Sequence, residues 1–106
     1  MTGSSFRQEE NLTVTLSLPY DLTAEQWAEV DKVFRSLDGW LGYSQPDNTP
    51  QWYGNKSSER FVWASLEPSG LLVEGNLEAS FWTGWTSVLC ARLTLALQFE
   101  VRDAEI

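Results

Sequence analysis

From Leu12 to Leu18 apolar and hydroxyl side chains alternate without a break, Leu12, Val14, Leu16 and Leu18 against Thr13, Thr15 and Ser17. A period of two sends each set to its own side of an extended chain, so this segment is a strand with one face for a core and one for water. Pro19 ends it, and the period then changes. Trp27, Val30, Val33, Phe34 and Leu37 recur three and four residues apart, with Glu25, Glu29, Lys32 and Ser36 outside the stripe, which is the pattern of an amphipathic helix. Its start carries two local signals. Thr23 as N-cap with Gln26 three residues on makes a capping box, and Leu22 and Trp27 stand where a hydrophobic staple needs them. Asp38-Gly39 marks the end, since glycine adopts the left-handed conformation there without strain.

Further along, residues 60–67 and 71–75 read as two strands joined across Glu67-Pro68-Ser69-Gly70. Proline second and glycine fourth suit a type I turn followed by a bulge. Trp52 and Tyr53 begin a further short strand. Residues 80–97 form a second helix, largely apolar and therefore well buried, and 98–102 form a closing strand. The pattern predicts a polar N-terminal segment, 1–10, and a single α+β domain, 11–106. Two helices pack on one face of a mainly antiparallel four- to five-stranded sheet, in a ferredoxin-like βαββαβ order.

Composition narrows the chemistry. One hundred and six residues is one domain's worth of chain, and six Trp, five Phe and three Tyr give it material for a core. Histidine is absent and Cys90 is the single cysteine, which removes intramolecular disulfides, Cys/His zinc sites and histidine-based triads. Cys90 lies in the run SVLCARLTLAL and reads as a small core residue. No phosphate-cradling glycine motif and no calcium loop occurs, and no cofactor is expected. Asn11-Leu-Thr and Asn55-Lys-Ser match glycosylation sequons, which carry meaning only in a secreted chain. MTGSSFRQEENL has no apolar core of a signal peptide and no window reaches a membrane span, so a cytoplasmic protein is expected. Fifteen acids against seven bases give a net charge of −8, a field that repels phosphate backbones and anionic membranes and attracts a basic partner.

Three features stand out as candidates. The stretch GWLGYSQPDNTPQWYG, 39–54, holds Trp40, Tyr43, Trp52 and Tyr53 among turn residues; the tryptophans are expected to turn inward and the tyrosines to stay at the surface. FVWASLE is apolar on both faces, so Phe61 and Trp63 are expected on the face of the sheet that the helices leave open, where they would meet the loop aromatics. That open sheet lacks the basic pattern of an RNA-recognition module. Arg92, near the middle of the second helix's apolar face, must either reach a rim, pair with a carboxylate such as Glu100, or anchor an anion or carbonyl in a pocket. Carboxylate chemistry by Glu67 and Glu74 on a stacked sugar is the enzymatic route left open.

In overall character the Trp-rich middle, FVWASLEPSGLLVEG and the closing ARLTLALQFEVRDAEI resemble the small acidic immunity proteins of bacterial polymorphic toxin systems. That resemblance implies a non-enzymatic, cytoplasmic inhibitor, monomeric or homodimeric, that occludes a basic protein. Tyr43, Asp47, Tyr53, Phe61, Trp63, Glu67 and Glu74 would be its partner-binding residues. The alternative is a small-molecule-binding or regulatory domain with a pocket between sheet and loop lined by Trp40, Trp52 and Trp63.

Overall fold

The computed structural model describes residues 9–55 and 57–104. The chain runs β1 (Glu9–Leu16), α1 (Ala24–Ser36), β2 (Trp40–Ser44), β3 (Thr49–Trp52), β4 (Phe61–Glu67), β5 (Gly70–Glu78) and α2 (Ala79–Leu97). The fold is α+β, with five antiparallel strands in the order β1-β5-β4-β3-β2. The expected ferredoxin-like order does not form. β2 to β5 are a continuous meander, each strand pairing with the next, and β1 closes the far side against β5. The aromatic loop supplies the extra pair of strands, because a turn after Ser44 lets Trp40–Ser44 fold back on Thr49–Trp52.

The closing strand at 98–102 is reduced to a single bridge between Leu16 and Asp103. Gln98 takes the left-handed conformation just past α2, and the chain turns back along β1. It is clipped there by Ser17 N to Arg102 O at 2.7 Å, Ala104 N to Thr15 O at 2.7 Å, and Arg102 N to the Ser17 hydroxyl at 3.0 Å. The Thr94 hydroxyl also accepts from Val101 N at 2.9 Å. β1 begins at Glu9, inside the segment expected to be loose; the remainder of that expectation, 1–8, lies outside the described residues. The β4–β5 ladder runs in unbroken register to Glu67 opposite Gly70, so the bulge expected after the turn is absent.

Both helices lie on one face. α1 packs against α2 and over β2, and α2 covers β1 and β5. Leu16, Val62, Ala64, Leu71, Val73 and Leu77 point into this layer and meet Val30, Val33 and Phe34 of α1 and Trp82, Trp85, Leu89 and Leu93 of α2. Gly75 lets α2 approach, since a Cβ there would stand 2.9 Å from the Trp82 ring and 2.6 Å from the Phe61 carbonyl.

The capping box forms as the sequence predicts: Gln26 N donates to the Thr23 hydroxyl at 3.1 Å, and Thr23 N to the Gln26 carboxamide at 2.9 Å. The other end of α1 is finished by tertiary contacts. The Trp52 indole donates to the Phe34 carbonyl at 3.0 Å, Arg92 to the Ser36 carbonyl at 2.9 Å, and the Trp85 indole to the Asp38 carbonyl at 3.1 Å. A helix leaves its last carbonyls without internal donors, and here β3 and α2 supply them.

Candidate functional site

The 39–54 aromatics divide between core and rim. Trp52 has no exposed surface and is the hub of the cluster, edge-on to Phe34 at 5.4 Å, Trp40 at 5.6 Å and Trp85 at 4.9 Å. Trp40 is half-buried against this core. Both tyrosines sit at intermediate exposure, with their hydroxyls donating to carboxylates of α1 and its exit. Tyr43 donates to Asp31, which also accepts from Arg35 Nε at 2.7 Å, while the Arg35 guanidinium lies 5.7 Å over the Trp40 ring. The Tyr43 hydrogen bond, then that of Arg35, holds the Asp31 carboxyl below the usual carboxylate range. Burial, then the Asp31 carboxylate, pushes the Tyr43 phenol up. Tyr53 donates to Asp38 at 2.7 Å, packs on Phe81 at 5.5 Å and is likewise pushed up, first by burial. Its ring lies on Gly39, whose φ of +89° and 2.5 Å clearance to a hypothetical Cβ both require glycine.

The helix-free face of the sheet is a different surface. Alternation puts Phe61, Trp63, Ser65 and Glu67 of β4 on it beside Leu72, Glu74, Asn76 and Glu78 of β5. One cross-strand row reads Thr13, Glu74, Trp63, Gln51, and the next reads Thr15, Leu72, Ser65. Trp63 and Leu72 are partly exposed. Phe61 is only 8% exposed, so this expected contact residue offers a partner little surface. Its cross-strand neighbour Asn76 keeps Oδ1 buried with no hydrogen-bond partner, at a cost of about 1–3 kcal/mol. Glu78 turns away to cap α2, accepting from Phe81 N at 3.0 Å and from the Ser80 hydroxyl, which holds its carboxyl below the usual range.

The candidate residues therefore fall on three surfaces. Trp63, Glu67 and Glu74 share the helix-free face. Tyr43 and Asp47 line a cavity of about 240 Å³ between α1 and the β2–β3 hairpin, walled by Trp27, Phe34 and Leu66. Tyr53 sits at the exit of α1 against Phe81. Of the loop aromatics expected to meet Phe61 and Trp63, Trp52 instead packs on the helix side against Trp85 and Tyr53 packs on Phe81, because the hairpin extends the sheet sideways. For the same reason the pocket expected from Trp40, Trp52 and Trp63 is not formed: Trp52 is fully buried on the helix side and Trp63 faces the other way. Glu67 and Glu74 lie in register positions four residues apart, about 13 Å of strand.

Arg92 is exposed, and besides the Ser36 carbonyl it donates to the Ser36 hydroxyl at 3.1 Å; its expected partner Glu100 is not used. Cys90 is half-buried in the wall of a groove beside β1, and burial, with the Asp103 carboxylate nearby, pushes its thiol up. This groove, of about 880 Å³ between α2, β1 and the C-terminal segment, was not anticipated, since nothing local in the sequence says which strand will be an edge.

Among the described residues no group of three acidic or cysteine side chains gathers to hold a metal ion, and no helix is long and apolar enough to cross a membrane. No protein-family model, curated protein or solved structure matches the chain.

Proposed function

We propose that this chain is a non-enzymatic acidic binding protein that occludes a basic protein partner, acting in the cytoplasm as a toxin-neutralising immunity protein. The observation that carries the reading is the helix-free sheet face. A partly exposed tryptophan and leucine, Trp63 and Leu72, stand between Glu67 and Glu74, and neither carboxylate is ion-paired among the described residues. An apolar centre with a charged rim is the anatomy of a protein interface, in which Trp supplies contact energy and the carboxylates steer a basic surface into place. The net charge of −8 gives the chain the acidic field that such a partner would meet. The partner is a basic protein and not nucleic acid or a membrane, and the binding unit is a monomer or homodimer.

Co-expression with the product of the adjacent reading frame tests this. A 1:1 complex that weakens with salt is expected, and reversing both Glu67 and Glu74 to lysine should weaken it by about tenfold or more while leaving the melting temperature unchanged. Absence of a complex, or one indifferent to salt and to both reversals, defeats the proposal.

A further inference from the structure

The two edges of the sheet are finished differently. β2 is five residues long and bulged between Trp40 and Gly42. β1 is eight residues long, in unbroken register with β5, and has no proline, lysine or bulge. Those are the devices by which proteins blunt an edge strand.

The outward backbone groups of β1 belong to its odd-numbered residues, because the Thr15 carbonyl accepts from Ala104 on that side. Among the described residues the C-terminal segment meets this edge at Thr15–Ser17. Among the described residues nothing bonds to the outward N–H and C=O of Asn11 or Thr13, and both residues are exposed. Directly beside them runs the 880 Å³ groove, walled by Val14, Trp82, Thr86, Cys90 and Val101.

We infer that the outer edge of β1 and this groove form a strand-addition site for an extended segment of a partner protein in which apolar and basic residues alternate. The added strand continues the pairing that residues 102–104 begin on the same edge, and it takes up the outward groups of Thr13 and Asn11. Alternation then sends every second side chain into the groove, where Val14 and Trp82 call for an apolar group. The intervening side chains emerge on the helix-free face. There Thr13 is the cross-strand neighbour of Glu74, so the added strand lies about 10 Å from the Glu74 backbone, which a lysine and a glutamate side chain bridge together. At the groove's rim Glu100 and Asp103 outnumber Arg102. The basic character of the occupant rests on the function proposed above; the strand addition rests on the edge and groove alone.

The test uses a soluble peptide of alternating lysine and valine, titrated into the full chain and followed by tryptophan fluorescence and amide exchange. Binding should protect the amides of Asn11 and Thr13. Thr13→Pro removes an outward donor while leaving the β1–β5 ladder its even-numbered residues, so it should weaken binding by about tenfold with unchanged thermal stability. Asn11→Pro does the same at the neighbouring donor, should the first variant fold poorly. The inference is overturned if the peptide does not bind, if both proline variants bind it equally well, or if a valine–glutamate peptide binds as tightly. It is overturned equally if the Asn11 and Thr13 amides are already protected in the free monomer, which would assign the edge to the chain's own tail. A dimer dissolved by Thr13→Pro would assign it to a second copy.

Discussion

The β2 side and the β1 side of this sheet carry similar apolar material and end in opposite ways. At β2 the strand is short and bulged, and the aromatic residues beside it are tied down: Trp52 donates to Phe34, Tyr43 to Asp31, and Arg35 bonds Asp31 while lying over Trp40. At β1 the strand is long and regular, and among the described residues the segment after α2 lies along its last residues. The aromatic side chains at the β2 end are themselves hydrogen-bonded to α1, so their order is set by a network. At the β1 edge the contacts of the described residues are a clip of a few backbone bonds, and the strand addition proposed above would use the rest of that edge.

The sharpest way to break this contrast is at its hub. Trp52→Ala should cost about 3–5 kcal/mol, because it empties the centre of the aromatic cluster and strips the Phe34 carbonyl of its donor. Urea denaturation measures the loss, and amide exchange should show β2 and β3 opening before β1. Thr94→Ala acts on the other side. It removes the hydroxyl that accepts from Val101 N, for about 1–2 kcal/mol, and the amides of Ser17 and Ala104 should then exchange faster while β2 is unaffected.

Tyr43→Phe should cost about 1 kcal/mol in urea, since the lost hydroxyl bonds a charged acceptor at a partly solvated site. The smallest effect is expected from pH. Asp31 has a folded-state pKa below its unfolded value, so its stabilising contribution is present above that unfolded value and disappears as pH falls through the depressed folded one. Tyr43 works in the opposite direction: its neutral form is favoured in the fold, so stability declines as pH rises above the unfolded phenol value. Asp31→Asn should remove the acid limb of the thermal stability profile and only lessen the alkaline one, since burial of Tyr43 remains, and a profile identical to that of the parent chain would show that stability does not depend on this bond.

The helix signals were the most legible part of the sequence. Thr23, Gln26, Leu22 and Trp27 act within a few residues of one another, and both the cap and the packed positions of Leu22 and Trp27 appear as expected. The alternation of β1 likewise sends Leu12, Val14 and Leu16 to the core side. The hairpin 40–52 was harder to see, because its strands are short and interrupted by Gly42 and Pro50. Its pairing depends on a turn at 45–48 whose Asn48 adopts a positive φ. The Arg92 ambiguity was resolved by a carbonyl 56 residues away in sequence, which no helical wheel contains.

The candidate surfaces divide along the same line. That Trp63 and Glu74 would share a face follows from period-two alternation and the tight turn between their strands. That Tyr43 and Tyr53 lie elsewhere depends on which way the hairpin grows, and sheet order is a property of long-range pairing.

By itself, then, the sequence determined what acts over a few bonds: two helices and the start signal of the first, the inward and outward sides of the strands, an acidic field, and the chemistries that need histidine or paired cysteines ruled out. Only the tertiary structure decided which strand would be an edge, which carbonyls Trp52, Trp85 and Arg92 would reach, and whether the aromatics of 39–54 would form one surface or several. Local rules fix a residue's period and conformation, whereas its neighbours across the sheet are fixed by where distant segments find the most apolar surface to bury and the most backbone groups to satisfy.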